Sequence, residues 1–150
     1  MQVHTRSIGS AVSYSTWREP FHRCTLAIEH ELFGLKLPCA TTISRGTEYR
    51  PWSLLLPANA GVYIPALATT APPGVTLSIA NDGRLLSIGS GHGQTIRVRG
   101  VPLNSKAFML RGEIVASELA EPFAIAGETL PAGTAVRIDL TTGTVAVAVA

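Results

Sequence analysis

Apolar and polar positions alternate with a period of two along much of this chain, most plainly near its C-terminal end. In AVRIDL, Val136, Ile138 and Leu140 fall on one face of a strand, and Ala135, Arg137 and Asp139 fall on the other. Thr141, Thr142 and Gly143 follow as a short connection, with glycine where a left-handed residue is usually required. The second arm, Val145 to Ala150, alternates Val with Ala and carries no polar side chain. Both of its faces are therefore expected to meet protein, either the chain's own sheet or a neighbouring molecule. A second hairpin reads as VTLSIA, the turn NDG, and RLLSI. Val75, Leu77 and Ile79 share a face, and Leu86 and Ile88 lie on the returning arm.

Other stretches leave more than one element open. In residues 21–37, FHRCTLAIEHELFGLKL, the spacing of Leu26, Ile28, Leu32 and Leu35 suits a two-turn helix or a strand pair, closed by Gly34 and Pro38. In residues 101–121, Phe108, Leu110, Ile114, Val115 and Leu119 fit either a strand running into Gly112 or a helical turn around VASELAE that Pro122 stops. Residues 1–20 are Ser/Thr-rich with isolated hydrophobes, the pattern of an edge strand, a frayed terminus or an arm that orders on a partner.

Pro51 to Asn81 contains no charged residue. Prolines at 57, 65, 72 and 73 interrupt any helix long enough to span a bilayer, so no membrane partner is expected. The run reads as an extended segment lying over a sheet or between subunits. Trp52, Leu54, Leu55, Leu56, Tyr63 and Ile64 are its anchors, for a partner or for the chain's own core.

Composition narrows the class. The 150 residues are 46% hydrophobic and 15% charged, with 14 Gly and 10 Pro, which disfavours disorder and long exposed helices. The expected fold is all-β: a small β-barrel or sandwich of hairpins with at most one or two short helices. Residues 1–20 form an extended N-terminal arm, and residues 21–150 form one β-rich domain. A net charge of +2 with no basic block gives no footprint for nucleic acid. Arg97 and Arg99 are spaced to share one solvated strand face. The N-terminus has no apolar core of signal-peptide length, and Cys24 and Cys39, without CxxC spacing, are expected to be reduced and buried.

The chemistry-bearing residues do not cluster. Glu29, His30 and Glu31 are adjacent, with His22 nearby, but successive residues on a strand point to opposite faces and on a helix fan by about 100°. They read as a polar rim, so no metal is expected. The glycines of Gly89-Ser90-Gly91-His92-Gly93 lead into the strand pattern TIRVRGV, whereas phosphate cradles lead into a helix. No nucleophile elbow, HExxH, P-loop, EF-hand or kinase signature is present. The expectation is a non-enzymatic protein with no catalytic residue and no cofactor.

The stretch AGETLPAGTAVRIDLTTGTVAVAVA, preceded by IRVRGVPLNSKAFMLRGEIVASELAE, resembles the small β-rich virion proteins of tailed bacteriophages, in particular capsid decoration proteins. The matching residues are Ala126, Gly127, Leu130, Ala132, Gly133, Val136 and Gly143, over the last third of the chain. The resemblance implies a structural role in the virion: binding the outer surface of the head, with the major capsid protein or another virion protein as partner, often as a homo-oligomer. A tail, neck or spike component and a carbohydrate- or surface-binding module are the alternatives. The expected partner contacts are Val3, Tyr14 and Trp17 of the arm, with Trp52 and Tyr63 of the uncharged run.

Overall fold

Alternation at period two becomes strand almost everywhere. The computed structural model describes residues 23–89, 94–110 and 112–148. The elements are β1 (Arg23–Thr25), β2 (His30–Leu32), β3 (Leu35–Leu37), β4 (Thr42–Ser44), β5 (Trp52–Leu55), β6 (Val62–Ile64), β7 (Thr69–Ala71) and β8 (Thr76–Ile79). They continue with β9 (Leu85–Gly89), β10 (Thr95–Val98), β11 (Val101–Leu110), β12 (Glu113–Leu119), β13 (Phe123–Ile125), β14 (Glu128–Leu130), β15 (Ala135–Asp139) and β16 (Val145–Val147). A single 3-10 turn, Pro65–Leu67, is the one helical element among the described residues. The all-β expectation therefore holds. Both helix candidates are strands where they are described: residues 23–37 give β1, β2 and β3, and VASELAE lies largely within β12.

The long sheet is antiparallel, in the order β1-β4-β5-β8-β9-β11-β12-β15-β16. β11 is long enough to take two strands end to end along one side. β10 pairs with its first half (Val98 opposite Val101), and β9 with its second (Ile88 opposite Ala107). The pairs β2–β3, β6–β7 and β13–β14 form small separate sheets. β3 lies beside β6 and β7 beside β10, so these hairpins build a second layer against the long sheet. Leu32, Leu35, Leu37, Val62 and Ile64 from that layer join Trp52, Leu54, Leu77, Ile114 and Ile138 from the long sheet in one core, a sandwich. The two layers meet where Phe33 abuts Trp52 edge to face, ring centroids 5.3 Å apart at 78°.

Three hairpins close through the same two-residue device. Phe33-Gly34, Arg99-Gly100 and Ala126-Gly127 connect β2–β3, β10–β11 and β13–β14, and all six residues have positive φ, from 53 to 81°. Such left-handed pairs match the twist of the flanking strands, with glycine taking the second position at no steric cost. Arg99 is thus a turn residue and not a strand neighbour of Arg97, which corrects the expectation of a shared face. Its guanidinium donates to the Leu140 carbonyl, while Arg97 pairs with Glu121 at 2.8 Å.

Two hydroxyl side chains are buried among the described residues, and each is bonded. Thr41 Oγ1 donates to the Pro38 carbonyl at 2.8 Å, and Ser117 Oγ to the Lys106 carbonyl at 2.8 Å, beside a register shift of β11 against β12. Both cysteines are free thiols, but only Cys24 is buried. Cys39 is exposed, its Sγ donating to the Ala27 carbonyl at 3.1 Å, which corrects the expectation of two buried cysteines. Burial pushes the Cys24 thiol from an ordinary value of 9.0 up to about 11. Because the unfolded thiol ionises first, Cys24 contributes stability below about pH 9 that is lost as pH rises through about 11. The difference in unfolding free energy between wild type and Cys24→Ala should shrink across that window by on the order of 2 kcal/mol. At neutral pH a thiol reagent should label Cys39 rapidly and Cys24 only on unfolding; rapid labelling of both would contradict the burial.

Candidate interaction surface

The C-terminal hairpin forms as its alternation requires. Val136 and Ile138 are fully buried, with Arg137 between them facing solvent. Asp139 organises the turn: one carboxylate oxygen accepts from the amides of Thr141 (2.8 Å) and Thr142 (3.2 Å), and Gly143, at φ 78°, donates to the Asp139 carbonyl at 2.7 Å. The Thr142 and Thr141 amides hold the Asp139 carboxyl below the usual aspartate value. Whatever this ionised carboxylate contributes to the turn is therefore present above the unfolded aspartate pKa and lost as pH falls through the lower folded one. On the outer face Arg137 pairs with Glu113 of β12 at 2.7 Å.

The second arm departs from expectation. Val145 packs against the core, but Val147 is 45% exposed and Ala146 is exposed as well. β16 is the edge of the long sheet among the described residues, and those residues do not cover both of its faces. The ladder explains the shape of this edge. Arg137 stands opposite Ala146, flanked by the bonds Asp139 N to Thr144 O and Ala148 N to Ala135 O, each 2.9 Å. In an antiparallel ladder that phase turns the N–H and C=O groups of Val145 and Val147 away from β15. This edge carries no charge and no proline, two of the devices that usually blunt an open strand.

A second apolar feature lies on the outer face of the same sheet. Phe108 is 54% exposed, and with Val115, Ala135 and Ala148 it lines a shallow depression of about 280 Å³ with Lys106 and Glu118 at its sides. Ala146, lacking a side chain beyond Cβ, lines an open cleft of about 530 Å³ with Arg137, Asp139 and Thr144. Among the described residues the hairpin therefore has an open backbone edge and a partly apolar outer face at one end of the sheet.

Of the sequence-derived contact residues, the two that are described do not lie here. Val3, Tyr14 and Trp17 lie outside the described residues, as do His22 and His92. Trp52 is completely buried on β5, opposite Ile79, so it is a core residue and not a surface contact. Tyr63 is 57% exposed on β6, in the other layer. Of the anchors in the uncharged run, Trp52, Leu54, Leu56 and Ile64 close the chain's own core, while Leu55 and Tyr63 are exposed. Glu29 and Glu31 face solvent, His30 is half-buried, and no three metal-ligating side chains come together among the described residues. No helix among the described residues is long and apolar enough to cross a membrane.

The residues that do form the surface, Phe108, Val115, Ala146 and Val147, had a legible signal only in part. The missing polar side chains of VAVAVA single out the last strand without showing that it is an edge, and Phe108 shares a period-two face with Lys106. Comparison with protein-family models, with curated proteins and with solved structures gives no match.

Proposed function

We propose that this chain is a non-enzymatic structural protein of a tailed-bacteriophage virion, of the capsid decoration type, which binds the outer surface of the head and stabilises it. The observation that carries the proposal is the open, uncharged β16 edge with Val147 exposed beside it. Such a surface suits contact with other protein chains, and the likeness of residues 126–143 to decoration proteins supplies the setting. The mechanism is thermodynamic: a protein that binds only the assembled shell shifts the equilibrium toward that shell by mass action. An interface of about 800 Å² per partner is enough for specific binding, and repetition over a symmetric lattice multiplies the effect. Val3, Tyr14, Trp17 and Tyr63 are further contacts under this reading.

The test is to purify virions from the phage whose genome carries this sequence and to locate the chain by immunogold electron microscopy. Label spread over the head, and heads without the chain that lose DNA at lower temperature, are the expected results. Label confined to the tail, neck or spike would replace decoration with another virion role. Absence from the particle would overturn the proposal.

A further inference from the structure

The β16 edge has a geometry that suits one occupant in particular. We propose that it pairs with β16 of a second copy of this chain, antiparallel about a two-fold axis through Ala146, to form a dimer with one continuous sheet. This deepens the assembly reading above and rests on it for its purpose, though not for its geometry.

The argument begins with the backbone. The outward N–H and C=O groups of Val145 and Val147 ask for an extended strand, since only a strand presents acceptors and donors at matching spacing. Centring the axis on Ala146 places Val145 opposite the second copy's Val147, and Val147 opposite its Val145. Each pair exchanges two hydrogen bonds, so four form in all. The same register fixes the side chains. Val147 shares its face with buried Val136, its ladder partner, so pairing sets the exposed half of Val147 against an apolar side chain. On the outer face Ala146 meets Ala146, and two methyl groups leave the strands free to approach.

Charge agrees with self-pairing. No residue of β16 is ionisable; of the charged side chains lining the cleft beside Ala146, Arg137 and Glu113 pair with each other at 2.7 Å and Asp139 is bonded into its own turn. A charged partner strand would find no counter-ion on β16, whereas a second β16 needs none. The alternative of β16 docking on β1 of the next copy is head-to-tail and gives a ring or an open fibre, not a two-fold dimer. β1 also carries the exposed Arg23 on a strand of three residues. The two-fold pairing closes after one step.

Sedimentation velocity of the full chain over a wide concentration range tests the proposal. The expected species is a dimer. Ala146→Lys sets two like charges face to face and should weaken the dimer by about tenfold or more. Ala146→Glu should do the same, and an equal mixture of the two variants should dimerise again, because the axis puts position 146 opposite itself. Should either charge disturb the fold, Val147→Pro reads the same edge, since it deletes an outward N–H and spares the bonds to β15.

A monomer at every concentration would overturn the dimer. So would a trimer, a dimer indifferent to charge at 146, or a monomer that dimerises only when residues 1–22 are removed; the last would assign the edge to the chain's own arm. Binding to heads is scored separately. A dimer of this register that binds no heads would sink the decoration role and leave the dimer standing; a monomer that binds heads would do the reverse.

Discussion

Trp52→Ala is expected to lower the unfolding free energy by about 3–5 kcal/mol, the range for deleting a large aromatic side chain from a packed core. Trp52 is fully buried and is the largest such side chain in the described core. It stands on β5 with its ring against Phe33, which occupies the turn of the β2–β3 hairpin, so the indole ties the hairpin layer to the long sheet. The fit is close on another side, where a Cβ at Gly46 would run into the indole and the Asn81 side chain. Urea unfolding followed by circular dichroism measures the loss. Hydrogen exchange should show Leu32 and Leu37 losing protection before Val136 or Ile138. Trp52→Phe, which keeps a ring against Phe33, should cost distinctly less, and equal losses for Ala and Phe would sink this account of the contact.

The second large effect is expected at Ile138→Asp. Ile138 is fully buried, opposite Ile114 on β12 and Val145 on β16, and both neighbours are apolar. An aspartate there has no partner, and burying an unpaired carboxylate places the variant among the most damaging substitutions, with a loss of more than about 4 kcal/mol at neutral pH. The sign with pH is a sharper test. Burial raises the folded-state pKa of the introduced carboxyl, so the penalty is smallest below the unfolded aspartate value and grows as pH rises through the folded one. The variant should therefore regain part of its stability toward acid relative to Ile138→Ala, whose deficit lacks this carboxyl. A parallel acid dependence for the two variants would contradict it.

The same hairpin shows what alternation reveals and what it leaves open. Val136, Ile138 and Asp139 are legible because a period of two with a charged opposite face has one reading on a sheet. VAVAVA is not, because apolar residues on both faces are compatible with a central strand, an edge awaiting a partner, or a strand under a second layer. The backbone ladder, which sequence does not display, decides among these. The NDG turn was legible from its composition, with Gly83 at φ 93°. The turns at Phe33-Gly34, Arg99-Gly100 and Ala126-Gly127 were harder to read, because their first residues are not the Asn or Asp that usually accept a left-handed backbone. Missing the Phe33 turn left a helix open over residues 21–37, and missing the Arg99 turn set Arg99 beside Arg97. Trp52 and Tyr63 are equivalent as aromatics in an uncharged run, yet one is core and the other surface, a difference fixed by the layer above β5. For a candidate surface made of backbone groups and small side chains, local sequence gives type and position but not exposure.

The order of strands in the long sheet has a consequence for how the molecule comes into being. From β1 through β4, β5, β8, β9, β11 and β12 to β15 and β16, each addition lies beside a strand made earlier, and no strand must be threaded between two that are already joined. Growth can follow the ribosome, each newly emerged segment adding to a rim already formed. At every stage the growing rim is open and prone to misjoin with other nascent chains. The last described rim, β16, carries no charge, as β4, β5, β8 and β9 also do not, but unlike them it gains no later strand among the described residues. Sequential growth thus leaves the open β16 rim to form when the other described strands of the long sheet are already in place.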